Sequence, residues 1–133
     1  MDDARMQGLH ILVVDDHASI CMIVSRFLQN AGALVDVARD GHDALTMVLN
    51  GTYDLVVADV EMPQVGGLEM TKCIRRVART RNLPIVIITA QDTDADRAAA
   101  MAAGANTFLP KPFSKEELLA AIRTVLPPSG PES

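Results

Sequence analysis

Three aspartates, each at the end of an apolar run, are the residues best suited to chemistry in this 133-residue chain. Asp15 and Asp16 follow the run 11–14, and Asp59 follows the run 55–58. Short β-branched runs of this kind predict strands that are buried on both faces, with the charge at the carboxyl end. Two such charges about 4 Å apart repel by roughly 4 kcal/mol at an effective dielectric of 20. We therefore expect a hard cation, Mg²⁺, to neutralise the cluster.

An alternation of strand and helix patterns predicts the elements that position these aspartates. The predicted strands are 9–14, 34–38, 54–59, 84–89 and 106–109. The predicted helices have apolar stripes over 20–28, 44–48, 70–77 and 118–126, and an alanine-rich helix with few large side chains to bury is predicted over 93–103. Five βα units in this order imply right-handed crossovers. The expected fold is α/β, a doubly wound, flavodoxin-like parallel sheet of five strands in the order 2-1-3-4-5, with five helices.

Two further polar residues lie at strand ends in this scheme. Thr89 ends the fourth strand, and Lys111 follows the fifth. If the first and third strands are neighbours about 4.8 Å apart, Asp59 lies beside the aspartate pair, with Thr89 and Lys111 on its far side. Each residue alone has a simpler explanation, such as a helix cap, β propensity or a solvated lysine. Their joint placement indicates one site.

The composition restricts the class of protein. Hydrophobic residues make up 49% and charged residues 22%, which is typical of a globular domain. The net charge of −5 argues against direct nucleic-acid binding, and no apolar run is long enough to span a membrane. We expect a cytoplasmic protein with reduced cysteines. The domain is predicted over 9–126, between an N-terminal tail, 1–8, and a Pro/Gly/Ser-rich tail or linker stub, 127–133.

Together, these motifs identify a family. The segments that carry the resemblance are 13–16 (VVDD), 59–63 (DVEMP), 66–67 (GG), 88–90 (ITA) and 111–113 (KPF). At these spacings, the chain resembles the receiver domains of two-component response regulators over roughly residues 9–126. The resemblance implies a phosphoacceptor domain of a phosphorelay that is a signalling module and not an enzyme, beyond assisting its own phosphorylation and slow dephosphorylation.

The resemblance also implies roles for individual residues. Asp59 would take a phosphoryl group from a sensor histidine kinase or a histidine phosphotransfer protein, since a carboxylate can act as a nucleophile at phosphorus. Mg²⁺, for which Mn²⁺ is a plausible substitute, would be held by Asp15, Asp16, Asp59 and the backbone carbonyl of Glu61. Such a cation neutralises part of the charge on the phosphoryl oxygens.

Further residues are expected to contact the phosphate or to respond to it. Thr89, Lys111 and the backbone of Ala90 would contact the phosphoryl oxygens, and the Lys111–Pro112 peptide bond is expected to be cis. Thr89 would also act as a switch with Phe108, which stands where many relatives carry tyrosine. In phosphorylated protein Thr89 would turn inward, and Phe108 would enter the space that it leaves.

Two side chains are expected to set the lifetime of the phosphate, and one face is expected to transmit the signal. Glu61 and Gln91 lie two residues after Asp59 and Thr89, near the path of the hydrolytic water. The face formed by 93–126 would contact a downstream protein partner or a tethered output domain. We expect a monomer when unphosphorylated, with a phosphorylation-dependent dimer as a further option.

Other polar residues near these motifs have two interpretations. His17 is predicted to open the first helix, and the alternative that it reaches the metal site stays open. A basic cluster, Arg75, Arg76, Arg79 and Arg81, could dock a partner, but is better explained as a solvated helix end.

Two functional alternatives are weaker. A Mg²⁺ hydrolase of the haloacid-dehalogenase type also forms an aspartyl phosphate, but its nucleophile ends the first strand and a second Asp follows two residues later. Here Asp59 ends the third predicted strand and Glu61 occupies that later position. A degenerate receiver that acts only as an interaction module would lack Asp59, Thr89 or Lys111, and this chain has all three.

Overall fold

The computed structural model describes residues 6–62 and 65–127. Its strands are β1 (His10–Val14), β2 (Leu34–Ala38), β3 (Leu55–Asp59), β4 (Ile85–Thr89) and β5 (Thr107–Pro110). Its helices are α1 (Ala18–Asn30), α2 (Gly41–Asn50), α3 (Gly67–Arg76), α4 (Asp94–Ala103) and α5 (Lys115–Val125). All strand pairs are parallel and the order is β2-β1-β3-β4-β5. The predicted fold class, strand order and helix number are confirmed.

The register of the sheet places the carboxyl ends of β1, β3 and β4 next to one another. Val14 of β1 pairs with Ala58 of β3, so that Asp15 and Asp59 leave the sheet side by side. On the other side of β3, Asp59 pairs with Ile88, the residue before Thr89. Because all strands are parallel, these side chains lie at one edge of the sheet, the carboxyl end.

The sheet separates two apolar layers because successive side chains of a strand point to opposite faces. Ile11 and Val13 of β1 pack with α1 and α5, whereas Leu12 and Val14 pack with α2, α3 and α4. The first layer also contains Met6, which is fully buried although the sequence places it in a tail.

Helix ends follow the signals in the sequence closely. The sequence pattern Ser-x-x-Glu predicts a capping box, and Ser114 and Glu117 form it at the start of α5. Gly104 ends α4 with φ of 108°, a left-handed conformation that glycine adopts without steric cost. Two details differ from prediction. Val77 lies beyond α3 in extended backbone, and a 3₁₀ helix, Ala78–Thr80, which was not predicted, follows it.

The interpretation of the basic cluster as a solvated helix end is wrong for two of its four members. The Arg75 guanidinium donates hydrogen bonds to Gly104 O (2.9 Å) and Asn106 Oδ1 (2.8 Å). Arg79 donates to carbonyl oxygens of the last turn of α2, including Val48 O at 3.0 Å. Free carbonyls at a helix C-terminus attract cations, which explains why these two arginines are fixed.

Helix α4 is the least embedded of the helices. Its buried residues are Ala100 and Ala103, as the alanine-rich sequence predicted. Thr93 caps it by accepting a hydrogen bond from Asp96 N. A helix that buries so little apolar surface has a low local stability.

Some sequence expectations fall beyond the reach of the structure. Residues 1–5 of the N-terminal tail, Pro63 of the DVEMP motif and residues 128–133 lie outside the described residues. Among the described residues, no helix combines the length and the apolar character needed to cross a membrane.

Candidate functional site

The ends of β1 and β3 bring three carboxylates together. Asp15 and Asp59 are 2% and 4% exposed. One ligand atom from each of Asp15, Asp16, His17 and Asp59 can be chosen so that all lie within 4.8 Å of one another. The predicted acidic cluster at the carboxyl end of the sheet is therefore present, and His17 belongs to it.

Lys111 supplies a positive charge to the cluster from the loop after β5. Its Nζ lies 3.1 Å from Asp59 Oδ2 and 3.9 Å from Asp15 Oδ2. The backbone of the same residue donates to Thr89 O at 2.7 Å, which fixes the start of the loop against β4. The Lys111–Pro112 peptide bond is cis.

Burial and two neighbouring charges of opposite sign, those of Asp15 and Lys111, determine the pKa of Asp59. Burial raises the pKa of Asp59, and the neighbouring Asp15 carboxylate raises it further. The hydrogen bond from Lys111 and the one from Glu61 N (3.3 Å) act in the opposite direction and lower this pKa. Burial has the larger effect, so the ionised form of Asp59 is costly in the absence of another cation.

Close backbone packing positions the loop after Asp59. A Cβ atom at Gly67 would lie 2.2 Å from Asp59 O, so that only glycine allows α3 to begin this close to the end of β3. An open depression of about 550 Å³ is lined here by Asp16, His17, Val60, Glu61 and Met62. The cluster is thus accessible from solvent on this side.

Thr89 and Phe108 lie on the same face of the sheet. Phe108 pairs with Ile87, and Thr89 is the next residue of β4 on that face. Thr89 Oγ1 accepts a hydrogen bond from Gln91 N at 3.0 Å, and Ala90 between them is exposed. Phe108 is already buried in this structure.

An arginine of α4 covers Phe108. The guanidinium carbon of Arg97 lies 4.9 Å from the centre of the Phe108 ring, within the range of a cation–π interaction. Arg97 also pairs with Asp92 of the β4–α4 loop at 2.7 Å. Arg97 therefore connects the buried ring of Phe108 to Asp92 in the β4–α4 loop.

Comparison with known proteins identifies the family to which this site belongs. The family model described as "Response regulator receiver domain" matches residues 11–123. The chain belongs to this family.

Relatives of the receiver domain agree with this assignment. Response regulator MprA of Mycobacterium sp. (strain KMS) is 42% identical over 129 residues, covering 94% of this chain and 55% of that protein. MprA of Mycobacterium avium (strain 104) is 41% identical over 124 residues, covering 93% and 54%. The chain thus spans about half the length of these curated relatives.

Solved structures show the same fold. Chemotaxis response regulator CheY4 of Vibrio cholerae superposes with a TM-score of 0.86 at 35% identity, covering 90% of this chain and 100% of that one. The receiver domain of Francisella response regulator 1452 gives a TM-score of 0.82 at 29% identity, covering 89% and 96%.

The donor set of the receiver domain fits a divalent cation. Asp15, Asp16 and Asp59 offer carboxylate oxygens, the ligands that Mg²⁺ and Mn²⁺ prefer. Asp16 Oδ1 is buried and, among the described residues, accepts no hydrogen bond. A buried carboxylate oxygen without a donor is costly, and a bound cation would satisfy it.

Three residues support the aspartate pair, and two of them, Cys21 and Arg39, were not predicted from the sequence in these roles. His17 Nδ1 lies 3.0 Å from Asp15 Oδ1, a contact left open as an alternative. Cys21 Sγ donates to Asp15 O (3.2 Å), and Arg39 donates to Asp16 O (3.1 Å). Burial raises the pKa of the Cys21 thiol, which keeps this donor protonated. No motif marks Cys21 or Arg39, because both act through backbone carbonyls of the pair.

Proposed function

We propose that this receiver domain accepts a phosphoryl group on Asp59 and thereby controls a partner or a tethered output domain. The observation that carries the proposal is the position of Asp59. Its carboxylate is buried at the end of β3, 3.1 Å from Lys111 Nζ and next to Asp15. A carboxylate in such a site is a nucleophile with a cation at hand for the incoming charge.

The chemical step is a transfer between two nucleophiles. An oxygen of Asp59 forms a bond to phosphorus as the phosphorus–nitrogen bond of a phosphohistidine breaks, and the imidazole nitrogen keeps the electron pair. The donor is a sensor histidine kinase or a histidine phosphotransfer protein. The catalytic need is chiefly for positioning and for neutralising the equatorial oxygens.

Residues of this chain divide that work. Lys111 moves its hydrogen bond from Asp59 to a phosphoryl oxygen, and the Thr89 hydroxyl and Ala90 N–H provide further donors. Asp15, Asp16, Asp59 and the Glu61 carbonyl hold Mg²⁺ or Mn²⁺, which when bound supplies positive charge to the phosphoryl oxygens. Glu61 and Gln91, both exposed at the rim, set how readily water reaches the acyl phosphate.

The signal leaves the site through Thr89. Its hydroxyl exchanges the hydrogen bond from Gln91 N for one to phosphate, and this altered contact shifts the equilibrium of Phe108 and α4. The face of residues 93–126 then binds a downstream partner or output domain. The domain is a monomer when unphosphorylated, and the same face allows a dimer after phosphorylation.

Intact-mass spectrometry after treatment with acetyl phosphate and Mg²⁺ tests the proposal. We expect one added phosphoryl group in the unmodified protein and none in Asp59→Asn. Asp54→Asn is the matched control, since Asp54 precedes the opposite end of the same strand and is exposed. An adduct that persists in Asp59→Asn, or is lost equally in Asp54→Asn, would refute the assignment of Asp59.

A further inference from the structure

His17 stands at the N-terminus of α1 but does not act as a helix cap through its side chain. It occupies the N-cap position without a side-chain capping hydrogen bond. Its Nδ1 lies instead 3.0 Å from Asp15 Oδ1 and 3.1 Å from Asp16 Oδ1. The imidazole therefore packs against the two carboxylates of the acidic cluster.

One hydrogen on Nδ1 cannot satisfy both oxygens. His17 Nδ1 carries at most one hydrogen, and it donates to Asp15 Oδ1 only in the tautomer that has this hydrogen. Asp16 Oδ1, although close, has no hydrogen-bond donor among the described residues and is buried. His17 Nδ1 and Asp16 Oδ1 thus lie 3.1 Å apart, and a cation bound next to both would satisfy the carboxylate oxygen.

The spacing of these atoms matches that of neighbouring metal ligands. Ligands in adjacent positions of an octahedral ion, each bound at about 2.1 Å, are about 3.0 Å apart. The two separations from His17 Nδ1, 3.0 and 3.1 Å, have this value. The His17 side chain is 63% exposed, so that Nε2 can carry the ring hydrogen toward water while Nδ1 offers its lone pair to a cation.

We propose that His17 is a metal ligand that shifts the selectivity of this site from Mg²⁺ toward divalent transition metals. The proposal rests on the proposed function, because it uses the same cation site. Mg²⁺ prefers oxygen ligands, whereas imidazole suits the later first-row metals, whose affinity rises from Mn²⁺ through Co²⁺. With His17 as a fourth side-chain ligand, the site binds Co²⁺ and Mn²⁺ in preference to Mg²⁺.

If His17 only positions the aspartates, its removal changes the metal affinities in a different way. If the imidazole only orients Asp15 and Asp16 by hydrogen bonding, its loss weakens all cations by a similar factor. If it binds the cation itself, its loss weakens nitrogen-preferring metals selectively. The ratio of two metal affinities therefore separates the roles.

The test compares His17→Asn with a matched control, His42→Asn. Asparagine is a favourable N-cap residue, so His17→Asn preserves the start of α1. His42 also lies beside two carboxylates, Asp40 and Asp43, but on the exposed start of α2. Calorimetric titrations with Co²⁺ and Mg²⁺ give the affinities, and pulsed EPR of the Mn²⁺ complex detects directly bound imidazole nitrogen.

We expect His17→Asn to lose about tenfold or more in Co²⁺ affinity and less than about twofold in Mg²⁺ affinity. The nitrogen coupling in the Mn²⁺ spectrum should disappear in His17→Asn and persist in His42→Asn. Equal losses for both metals, or a spectrum without nitrogen coupling in the unmodified protein, would overturn the proposal. Should Mg²⁺ binding and phosphorylation remain intact in that case, only the role of His17 fails. Absence of all cation binding would contradict the proposed function itself.

Discussion

At the amino end of the sheet, His10 and Tyr53 each hydrogen-bond to Asp36, whereas at the carboxyl end Asp15 and Asp59 both lie against Lys111. The first group forms a paired network around one carboxylate. The second sets two buried carboxylates against one lysine, besides contacts with His17 and Glu61 N, and leaves Asp16 Oδ1 without a hydrogen-bond donor among the described residues. Polar groups thus stabilise the fold at one end and are left short of partners at the other.

Polar groups at the amino end satisfy one another and stabilise the fold, whereas those at the carboxyl end form the candidate functional site. At the amino end, Arg75 joins the end of α3 to Gly104 and Asn106, and Asn106 in turn accepts from Ile85 N at 2.8 Å. Such contacts satisfy backbone groups that would otherwise be buried without partners. The carboxyl end keeps buried negative charge that a bound divalent cation would offset.

The largest predicted effect on stability is at the amino end of the sheet, where the polar groups are paired. Arg75→Ala should lower the free energy of unfolding by about 2–3 kcal/mol, because hydrogen bonds from a charged donor to Gly104 and Asn106 are lost. Guanidinium denaturation gives the value. Arg76→Ala is the control, and because Arg76 is exposed it should change stability by less than about 0.5 kcal/mol. Equal effects of the two substitutions would break the proposed contrast between the ends.

At the carboxyl end of the sheet, removal of a charge should raise the free energy of unfolding instead of lowering it. The pKa of Asp59 is raised, so the native state binds this proton more tightly than the unfolded chain. Stability is then lost as the pH rises through the folded value. In EDTA at pH 7, Asp59→Asn should raise the Tm by a few degrees, since about 1 kcal/mol corresponds to roughly 4–8 °C. Thermal melts should show the gain shrinking as the pH falls through the raised pKa of folded Asp59 toward the ordinary carboxylate value, and a lower Tm at pH 7 would contradict the prediction.

A smaller effect is expected in the amino-end network. The hydrogen bond from Tyr53 and the one from His10 lower the pKa of Asp36, and burial together with Asp36 raises the pKa of Tyr53 to about 12. Tyr53→Phe should cost about 1 kcal/mol at pH 7. Because a lowered carboxylate pKa stabilises the fold only above its unfolded value, the cost should diminish in acid.

Urea denaturation in an Asp36→Ala background, which has no side-chain acceptor, checks the origin of this effect. There the cost of Tyr53→Phe should fall to a few tenths of a kcal/mol. An undiminished cost would show that the Tyr53 hydroxyl stabilises the fold through a contact other than Asp36, because the substitution keeps the ring and its contact with His10.

The smallest effect concerns the link between the carboxyl end and α4. Arg97→Ala removes an exposed ion pair with Asp92 and the contact with Phe108, together worth less than about 1 kcal/mol. Hydrogen exchange should be faster in α4 and unchanged in α5, while Arg97→Lys should give an intermediate rate. Uniform acceleration in both helices would mean that Arg97 stabilises the whole domain and not this segment.

The sequence predicted the parts that are encoded locally. Apolar runs that end in Asp15 and Asp59 were sufficient to place two neighbouring strand ends, and Ser114 with Glu117 marked a helix start. These signals depend on residues that are adjacent in the chain or related by a helical or strand period.

Contacts between distant polar groups could not be predicted in this way. Arg75 reaches a carbonyl 29 residues away, and Arg79 reaches one 31 residues away, although both look like members of a solvated charge run. His10 and Asp36 come together only through strand register. The burial of Met6 likewise depends on packing that no periodicity reveals in so short a segment.

The central claim is that ligands act on the carboxyl end of the sheet and leave the amino end unchanged. Amide shifts measured by NMR during addition of Mg²⁺ and then beryllofluoride, an acyl-phosphate mimic, test it most directly. We expect changes around Asp59 and in residues 89–113 up to α4 and β5, with the amides of His10, Asp36 and Tyr53 unchanged. Shifts of equal size at both ends, or none in 93–109, would contradict the account.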